Sequence, residues 1–276
     1  MKDKINNAIR ILQLAEKQSA QYNEPVEIAY SGGKDSDVLL QLAKEAQIDF
    51  TAIYKNTTID PPGTLQHVKE NNVKIVQPSI TFFNLVKKKG FPSFRFRFCC
   101  EKLKEYKILN TACWGVRAEE SPARRNRYGH GFEFCRMYKK NSVVHVFTPI
   151  SDWTLDDIKK FIKSRNISLA PVYYEEGRIN YKCRLGCMCC PLSNDRGLKY
   201  FKKYPTMLKA YLRAGKFFFD NHYVDNKKFN DVYELFLFRT FFKSSELYEL
   251  TMKERNLFNT KINAKEFLQN YFKVQL

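Results

Sequence analysis

Six consecutive residues, Ser31-Gly32-Gly33-Lys34-Asp35-Ser36, have the side-chain types that hold a chain of phosphates. Two glycines let the backbone approach an anion and turn its N–H groups inward. Lys34 adds a mobile cation, and Ser31 and Ser36 add hydroxyl donors. The run Pro25–Tyr30 before the loop reads as a strand, and the run after Asp35, with Val38, Leu39, Leu40, Leu42 and Ala43, reads as a helix. Such a helix aims its positive N-terminus at the same anion. The spacing G-x-x-x-x-G-K-[ST] is absent, so this is not the usual P-loop. A plain Gly-Gly turn with a solvated lysine leaves the ordered series of strand, glycines, Lys, Asp, Ser and helix unexplained.

The second chemistry-bearing group is cysteine, at positions 99, 100, 113, 135, 183, 187, 189 and 190. Cys99-Cys100 and Cys187-x-x-Cys190 are two close pairs, and four thiolates so paired can enclose an iron–sulfur cluster or one zinc ion. Cys183 and Cys189 flank the second pair, and either can stand in for Cys99. Cys113 sits in an apolar run and reads as core. No run of about 18 apolar residues is present, so no membrane span is expected. The start, Met1-Lys2-Asp3-Lys4-Ile5, lacks an apolar leader core. A cytoplasmic protein is therefore expected, where a cysteine cluster reads as a metal or catalytic site rather than a disulfide framework.

These residues need a scaffold. Residues 4–20 read as an amphipathic helix with Ile5, Ile9, Leu12 and Leu14 near one face. Strands are expected at 25–30, 50–54, 73–76, 111–116 and 143–147, with helices from 35, after Pro62, at 82–89 and at 155–164. That alternation predicts an α/β fold: an open, mostly parallel sheet with helices on both faces. Residues 196–276 hold 19 of the 39 Phe and Tyr and read as helices at 198–214, 230–251 and 262–272. The partition is an N-terminal helix at 1–24, the α/β domain at 25–195, and a basic, aromatic-rich helical appendage at 196–276. Aromatics at helical spacing are expected to be core.

The net charge is +18, and it is uneven. Residues 82–140 carry 15 Lys/Arg against 5 Asp/Glu, and 196–276 carry 16 against 8, while the other two stretches are near neutral. Two basic blocks point to anionic partners at particular surfaces, nucleic acid among them. Solvated lysine-rich helices are the bland alternative.

The loop, taken with further motifs in order, resembles the phosphoadenosine phosphosulfate reductase-like proteins of the ATP pyrophosphatase (PP-loop) superfamily. The matching segments are Asn56–Pro62, Cys99-Cys100-Glu101-Lys102-Leu103-Lys104, Gly115–Ser121 continuing to Arg124, Pro149–Trp153 and Pro171–Gly177, so the resemblance spans about residues 25–195. It implies an adenine nucleotide alpha hydrolase-like fold. It implies that Ser31, Gly32, Gly33, Lys34, Asp35, Ser36 and Arg117 bind the nucleotide, which is ATP with Mg2+ or an adenosine phosphosulfate. Lys34, Asp35, Asp60 and Arg117 are the implied catalytic residues. Asp60 would hold magnesium or orient a ribose, and Arg117, at a strand end, suits bidentate oxyanion binding. By the same resemblance Cys99, Cys100, Cys187 and Cys190 carry a 4Fe-4S cluster, with zinc as the alternative.

The reductases of this family attack sulfate with a further cysteine in a Glu-Cys-Gly tail, and no cysteine lies between residue 191 and residue 276. The expectation is therefore an ATP pyrophosphatase that adenylylates its substrate, releases pyrophosphate and serves sulfur transfer. A sulfur-donor protein and a tRNA or DNA acceptor are the expected partners, and the cluster is structural or sulfur-carrying. Reduction of a sulfonucleotide to sulfite is the alternative, and a non-catalytic nucleic-acid-binding scaffold is the second.

Overall fold

The computed structural model of the chain describes residues 1–128, 132–138, 142–193, 195, 197–223, 229–242, 244–252 and 262–276. They form two compact units, each discontinuous in sequence. The first comprises Met1–Asn56, Pro61–Gln77 and Lys104–Leu185; the second comprises Thr57–Asp60, Pro78–Leu103 and Gly186–Leu276. These groupings do not follow the linear partition 1–24, 25–195 and 196–276. The N-terminal helix packs within the first unit, and the segments bearing Cys99, Cys100, Cys187 and Cys190 pack with the C-terminal helices.

The first unit contains a six-stranded sheet of order β3-β2-β1-β4-β6-β5. The strands are β1 (Val26–Tyr30), β2 (Phe50–Lys55), β3 (Lys74–Val76), β4 (Thr111–Trp114), β5 (Glu133–Tyr138) and β6 (Ser142–Phe147). All pairings are parallel except β5 with β6. Ile28 of β1 sits between Ala52 of β2 and Cys113 of β4. Such central strands are covered on both faces, which is why they read as apolar runs. Cys113 is fully buried, as expected, and burial pushes its thiol up.

Helix α1 (Lys2–Ala20) buries Ala8, Ile11, Leu12 and Ala15, the i, i+3, i+4, i+7 stripe of an amphipathic helix. That stripe joins one core with Ile28 of β1, with Leu39 and Leu42 of α2 (Lys34–Ala46), and with Phe161 of a later helix (Leu155–Ser164). Helix α3 (Thr64–Glu70) precedes β3. The fold is the expected one: a mostly parallel α/β sheet flanked by helices, with further helices toward the C-terminus.

The second unit is helical. It holds α4 (Phe82–Lys89), α5 (Phe98–Leu103), α8 (Leu198–Lys203), α9 (Pro205–His222), α10 (Val232–Phe236), α11 (Ser245–Met252) and α12 (Ala264–Phe272); the intervening α6 (Pro122–Tyr128) and α7 (Leu155–Ser164) belong to the first unit. The single helix expected over 198–214 is broken, because Pro205 opens α9 and drives the preceding Tyr204 out of the helical region. The helix expected over 230–251 is broken as well, by a wide turn at Leu237–Phe241 followed by extended Phe242. Of the 18 described Phe and Tyr in 196–276, eight are buried, among them Tyr211, Phe236 and Phe272, and most of the others are half-buried, so the core expectation holds for part of them. Phe91 packs edge-on against Tyr211 at 5.0 Å and Phe236 at 5.3 Å, and all three are fully buried. Such pairs add about 0.5–1.5 kcal/mol each beyond area burial. Gly215 on α9 makes room for them, since a Cβ there would lie 2.0 Å from the Phe91 ring.

Candidate nucleotide site and cysteine set

The order of the sheet reverses between β1 and β4: β2 and β3 lie on one side, β4 and β6 on the other. Crevices at such switch points, outside the carboxyl ends of the strands, are where open α/β sheets bind ligands. Ser31–Gly33 leave the end of β1, and Gly115–Arg117 leave the end of β4. The two ends approach closely, for a Cβ on Gly115 would lie 2.9 Å from the carbonyl oxygen of Asp35. Gly32 has φ +73°, a left-handed conformation that favours glycine.

Within the loop Ser36 is the clasp. Its Oγ accepts from the backbone N–H of Ser31 at 3.2 Å and of Gly33 at 3.1 Å, and donates to the Gly33 carbonyl at 2.7 Å. The N–H of Lys34, at the start of α2, donates to the Tyr173 hydroxyl at 3.0 Å. The Lys34 ammonium is buried, 3.1 Å from Asp35 Oδ2 and 5.7 Å above the Tyr173 ring. Arg117 Nε lies 2.6 Å from Asp35 Oδ1, so one carboxylate holds both cations.

Arg117 is fixed on its other side too. Its Nη1 donates to Glu119 at 2.7 Å, and the same Glu119 oxygen accepts from the backbone N–H of Leu155, at the N-terminus of α7, at 2.6 Å. Arg124 pairs with Glu120, and its guanidinium is pulled down by burial and by the nearby charge of Arg184. Arginines crowded in this way favour an incoming polyanion.

Beneath the loop lies a buried polar network. The Tyr30 hydroxyl donates to Asp37 Oδ1, which also lies 3.0 Å from His67 Nε2. Burial raises the Asp37 carboxyl, and the bonds to His67 and Tyr30 offset only part of that. Asp37 Oδ2 has no hydrogen-bond partner among the described residues.

The cysteine set is in the second unit. The Cys99 thiol is pushed up by its hydrogen bond to Cys100, by burial and by the proximity of Cys187, which brings these three sulfurs into one electrostatic neighbourhood. Cys187 Sγ lies 3.8 Å from Thr57 Oγ1, and the Met188 N–H donates to the Ile59 carbonyl at 2.9 Å, tying the Cys187–Cys190 turn to residues 57–60. Gly197 lets that turn close, since a Cβ there would be 2.7 Å from the Cys189 nitrogen. The donor set is soft and suits zinc or iron–sulfur chemistry. Among the described residues, however, no three Cys, His, Asp or Glu side chains are already drawn together as a metal site.

The structure thus brings Ser31–Ser36 and Arg117 together in the first unit; in the second it pairs Cys99 with Cys100, within electrostatic reach of Cys187, with Cys190 on the same turn as Cys187. Asp60 is placed in the second unit, half-buried, with one carboxylate oxygen shielded from solvent. The flanking cysteines diverge. Cys183 lies in the core of the first unit with its thiol 3.6 Å from the Val172 carbonyl, and Cys189 is buried with a positive φ of 57°. Cys135 is exposed, and its sulfur is 3.7 Å from His145 Nδ1. Sequence reasoning missed Glu119, Arg184 and the Tyr30–Asp37–His67 network as parts of the site. Glu119 carried a signal, being two residues from Arg117, and so did Tyr30 and Asp37, which flank the loop directly; Arg184 and His67 reach the site only through the fold.

The family model of the phosphoadenosine phosphosulfate reductase domain matches residues 25–193. An uncharacterised protein of Methanocaldococcus jannaschii is 26% identical over 211 residues, which cover 71% of this chain and 49% of that one. Sulfate adenylyltransferase subunit 2 of Agrobacterium fabrum is 27% identical over 210 residues, covering 63% of each chain. This chain therefore spans less than two thirds of the length of these relatives. Among solved structures, the U34-tRNA thiolase of Methanococcus maripaludis with its 4Fe-4S cluster aligns at TM-score 0.40 and 14% identity, over 83% of this chain and 84% of that one. Phosphoadenylyl-sulfate reductase of Candida auris aligns at TM-score 0.42 and 15% identity, over 59% and 82%. Among the described residues no helix is long and apolar enough to cross a membrane. With its complete loop and its two cysteine pairs, the chain belongs to the phosphoadenosine phosphosulfate reductase family of the PP-loop superfamily.

Proposed function

We propose that this chain cleaves ATP between its α and β phosphates and adenylylates a nucleic-acid acceptor, as the activating step of a sulfur transfer. The observation that carries this reading is the pairing of Lys34 and Arg117 on one carboxylate, Asp35, inside a complete loop. A polyphosphate is a stronger anion than a single carboxylate, so it would take both cations from Asp35 as it binds. An acceptor oxygen then attacks the α-phosphorus. The bond from that phosphorus to the oxygen bridging the β-phosphorus breaks, and its electron pair leaves with pyrophosphate. Charge grows on the bridging oxygen, where fixed cations stabilise the transition state more than the ground state.

Magnesium bound with the nucleotide would supply further positive charge at the phosphates, with Asp35 as the carboxylate beside them. In the second unit Cys99, Cys100, Cys187 and Cys190 would hold a 4Fe-4S cluster or a zinc ion. Such a group would staple the short segments that carry the four thiols or take part in the sulfur step. The uneven charge of the sequence supports a polyanionic acceptor.

The test is release of AMP and pyrophosphate from radiolabelled ATP, with and without RNA or DNA. Lys34→Ala removes a charge-assisted contact of about 1.5–3 kcal/mol, so turnover should fall roughly 10- to 150-fold. Parent-like turnover in that variant would remove the loop from the chemistry.

Reduction of an adenosine phosphosulfate is the second reading; its thiol would be exposed Cys135 beside His145, a pair the strand register sets level with Thr111 at the amino end of β4, so the sulfonate would have to be presented there rather than in the loop crevice. A thiolate there would take the sulfonate from the nucleotide, and a thioredoxin-type dithiol would release sulfite by becoming a disulfide. Sulfite production with thioredoxin present, lost in Cys135→Ser, would establish this reading over the first.

A further inference from the structure

Residues Ser93–Phe98 read Ser-Phe-Arg-Phe-Arg-Phe, immediately before Cys99. The alternation would suit a half-buried strand, yet the segment turns. The N–H of Ser93 donates to the Phe96 carbonyl at 3.2 Å and the N–H of Phe96 donates to the Ser93 carbonyl at 3.1 Å, closing a tight turn with Phe94 and Arg95 at its tip. The turn leaves Phe94 64% and Phe96 45% exposed, whereas Phe91 and Phe98 on either side are buried. Two exposed phenyl rings only two or three residues from buried ones are not core spilling outward. They are held out.

Phe96 is also braced. Its ring meets Phe98 at 5.2 Å, and Phe98 lies 5.6 Å beneath the ammonium of Lys89, in the last turn of α4. Two residues earlier on α4, Lys87 lies 5.8 Å over the ring of Phe217, itself 55% exposed. Arg95 and Arg97 are exposed and make no ion pair among the described residues. The stretch 78–103 carries six Lys/Arg against one acid. Aromatic faces interleaved with unpaired guanidinium planes on a basic surface are what bind unpaired bases: the rings stack on bases, and the cations follow the phosphates.

We infer that the Ser93–Arg97 turn is a docking element for an unpaired loop of a folded RNA. This rests on the nucleic-acid acceptor proposed above and names where that acceptor is gripped. RNA is favoured over duplex DNA because stacking needs bases free of their partners, and folded RNA displays them in loops. A lipid surface is disfavoured because the tip offers two separate rings, each next to an arginine, rather than a continuous apolar face.

The experiment is fluorescence anisotropy of the full chain with a labelled hairpin RNA that has an unpaired loop. A blunt RNA duplex, the DNA hairpin of the same sequence and anionic phosphatidylserine vesicles serve as comparisons. The parent should prefer the RNA hairpin to each. Phe94→Ala and Phe96→Ala should each weaken hairpin binding about 5- to 150-fold while leaving its salt dependence unchanged. Arg95→Gln and Arg97→Gln should each reduce the slope of log affinity against log salt by roughly one. Phe94 is exposed and makes no ring contact among the described residues, so Phe94→Ala should melt with the parent and Phe94→Trp should keep the affinity, while Phe96→Ala also loses its ring pair with Phe98 and should melt slightly lower. Hairpin binding that survives both Phe→Ala changes overturns this docking element and leaves the acceptor reading intact. Equal or tighter binding to the duplex, the DNA hairpin or the vesicles overturns it as well. A parent that cleaves ATP and binds no RNA ends both this inference and the nucleic-acid acceptor. A parent that binds RNA through Phe94 and cleaves no ATP ends the pyrophosphatase reading alone.

Discussion

The phosphate loop of the first unit is complete in its own hydrogen bonds and ion pairs, whereas the cysteine set of the second is a group of thiols whose chemistry lies in binding a metal. Around the loop, Ser36 Oγ closes three hydrogen bonds, Tyr173 takes the first helical N–H, and Asp35 stands in for an anion between Lys34 and Arg117. Around the cysteines, the half-buried Cys99 thiol is pushed up by its hydrogen bond to Cys100, by desolvation and by the nearby Cys187. Three neighbouring thiols cannot all ionise without a cation among them. The first arrangement is tied by its own groups and would release Lys34 and Arg117 from Asp35 to the ligand, so a change there should act on turnover more than on folding. The second would be drawn together by a bound metal, so a change there should act on metal content and stability together.

The largest expected effect tests the first half of that contrast. Arg117→Ala removes a guanidinium held from two sides, by Asp35 and by Glu119. Loss of one preorganised charge-stabilising group costs about 100- to 1000-fold in kcat. Arg117→Lys should recover little of it, because Nε and Nη1 serve different carboxylates and an ammonium cannot reproduce that fork. Steady-state ATP cleavage, with melting curves alongside, measures both. A variant that unfolds rather than slows would erase the contrast between the two regions.

The next effect tests the second half. Cys100→Ser and Cys187→Ser should each empty the site of metal and lower the melting temperature, whereas Cys183→Ser, in the other unit and bonded to Val172, should retain the metal. Iron, acid-labile sulfide and zinc assayed on anaerobically purified protein decide which ion is present. A brown protein with four irons supports the cluster, and a colourless one with a single zinc replaces it. Metal binding displaces thiol protons, so acidification should release the metal. If Cys183→Ser empties the site as fully as Cys100→Ser, the ligand set is drawn wrongly.

What could be read from the sequence follows the range of the forces involved. The parallel strands were legible because burial on both faces makes them nearly continuous apolar runs, as in Val26–Tyr30, broken only by the buried Glu27. The loop was legible because its glycines and lysine are contiguous. Strand β5 was not, since as an antiparallel edge it alternates exposed and half-buried residues, among them Arg136 and Met137, inside a basic stretch. Helices α5 and α6 have only six and seven residues, too few for a helical period to stand out. The grouping of Thr57–Asp60 with Gly186–Leu276 was invisible, because it rests on pairs such as Met188 with Ile59. The same holds for Tyr173, whose hydroxyl meets Lys34 across 139 residues of chain.

The smallest expected effect sharpens the claim that the loop region is complete, and it concerns Asp37. This carboxyl is buried under the loop with Tyr30 and His67 on one oxygen and no partner among the described residues on the other. Burial raises it above the ordinary carboxylate range, with the bonds to His67 and Tyr30 opposing. A carboxyl whose folded pKa is raised contributes stability that is fully present below its unfolded value, about 4, and is lost as pH rises through the folded value. Asp37→Asn keeps an acceptor for Tyr30 and has no charge to bury. The parent should therefore hold its largest advantage over Asp37→Asn in acid and lose it as the pH rises, with a difference within about 1 kcal/mol near neutrality. Asp37→Ala is the harsher control, since it leaves Tyr30 and His67 buried without this partner and should cost about 1–3 kcal/mol for each polar group stranded. Denaturant unfolding of parent and Asp37→Asn from pH 4 to pH 8 measures the trend. A parent that instead gains on the variant as the pH rises would show that His67 and Tyr30 outweigh burial, and that Asp37 is a settled anion within the loop's support.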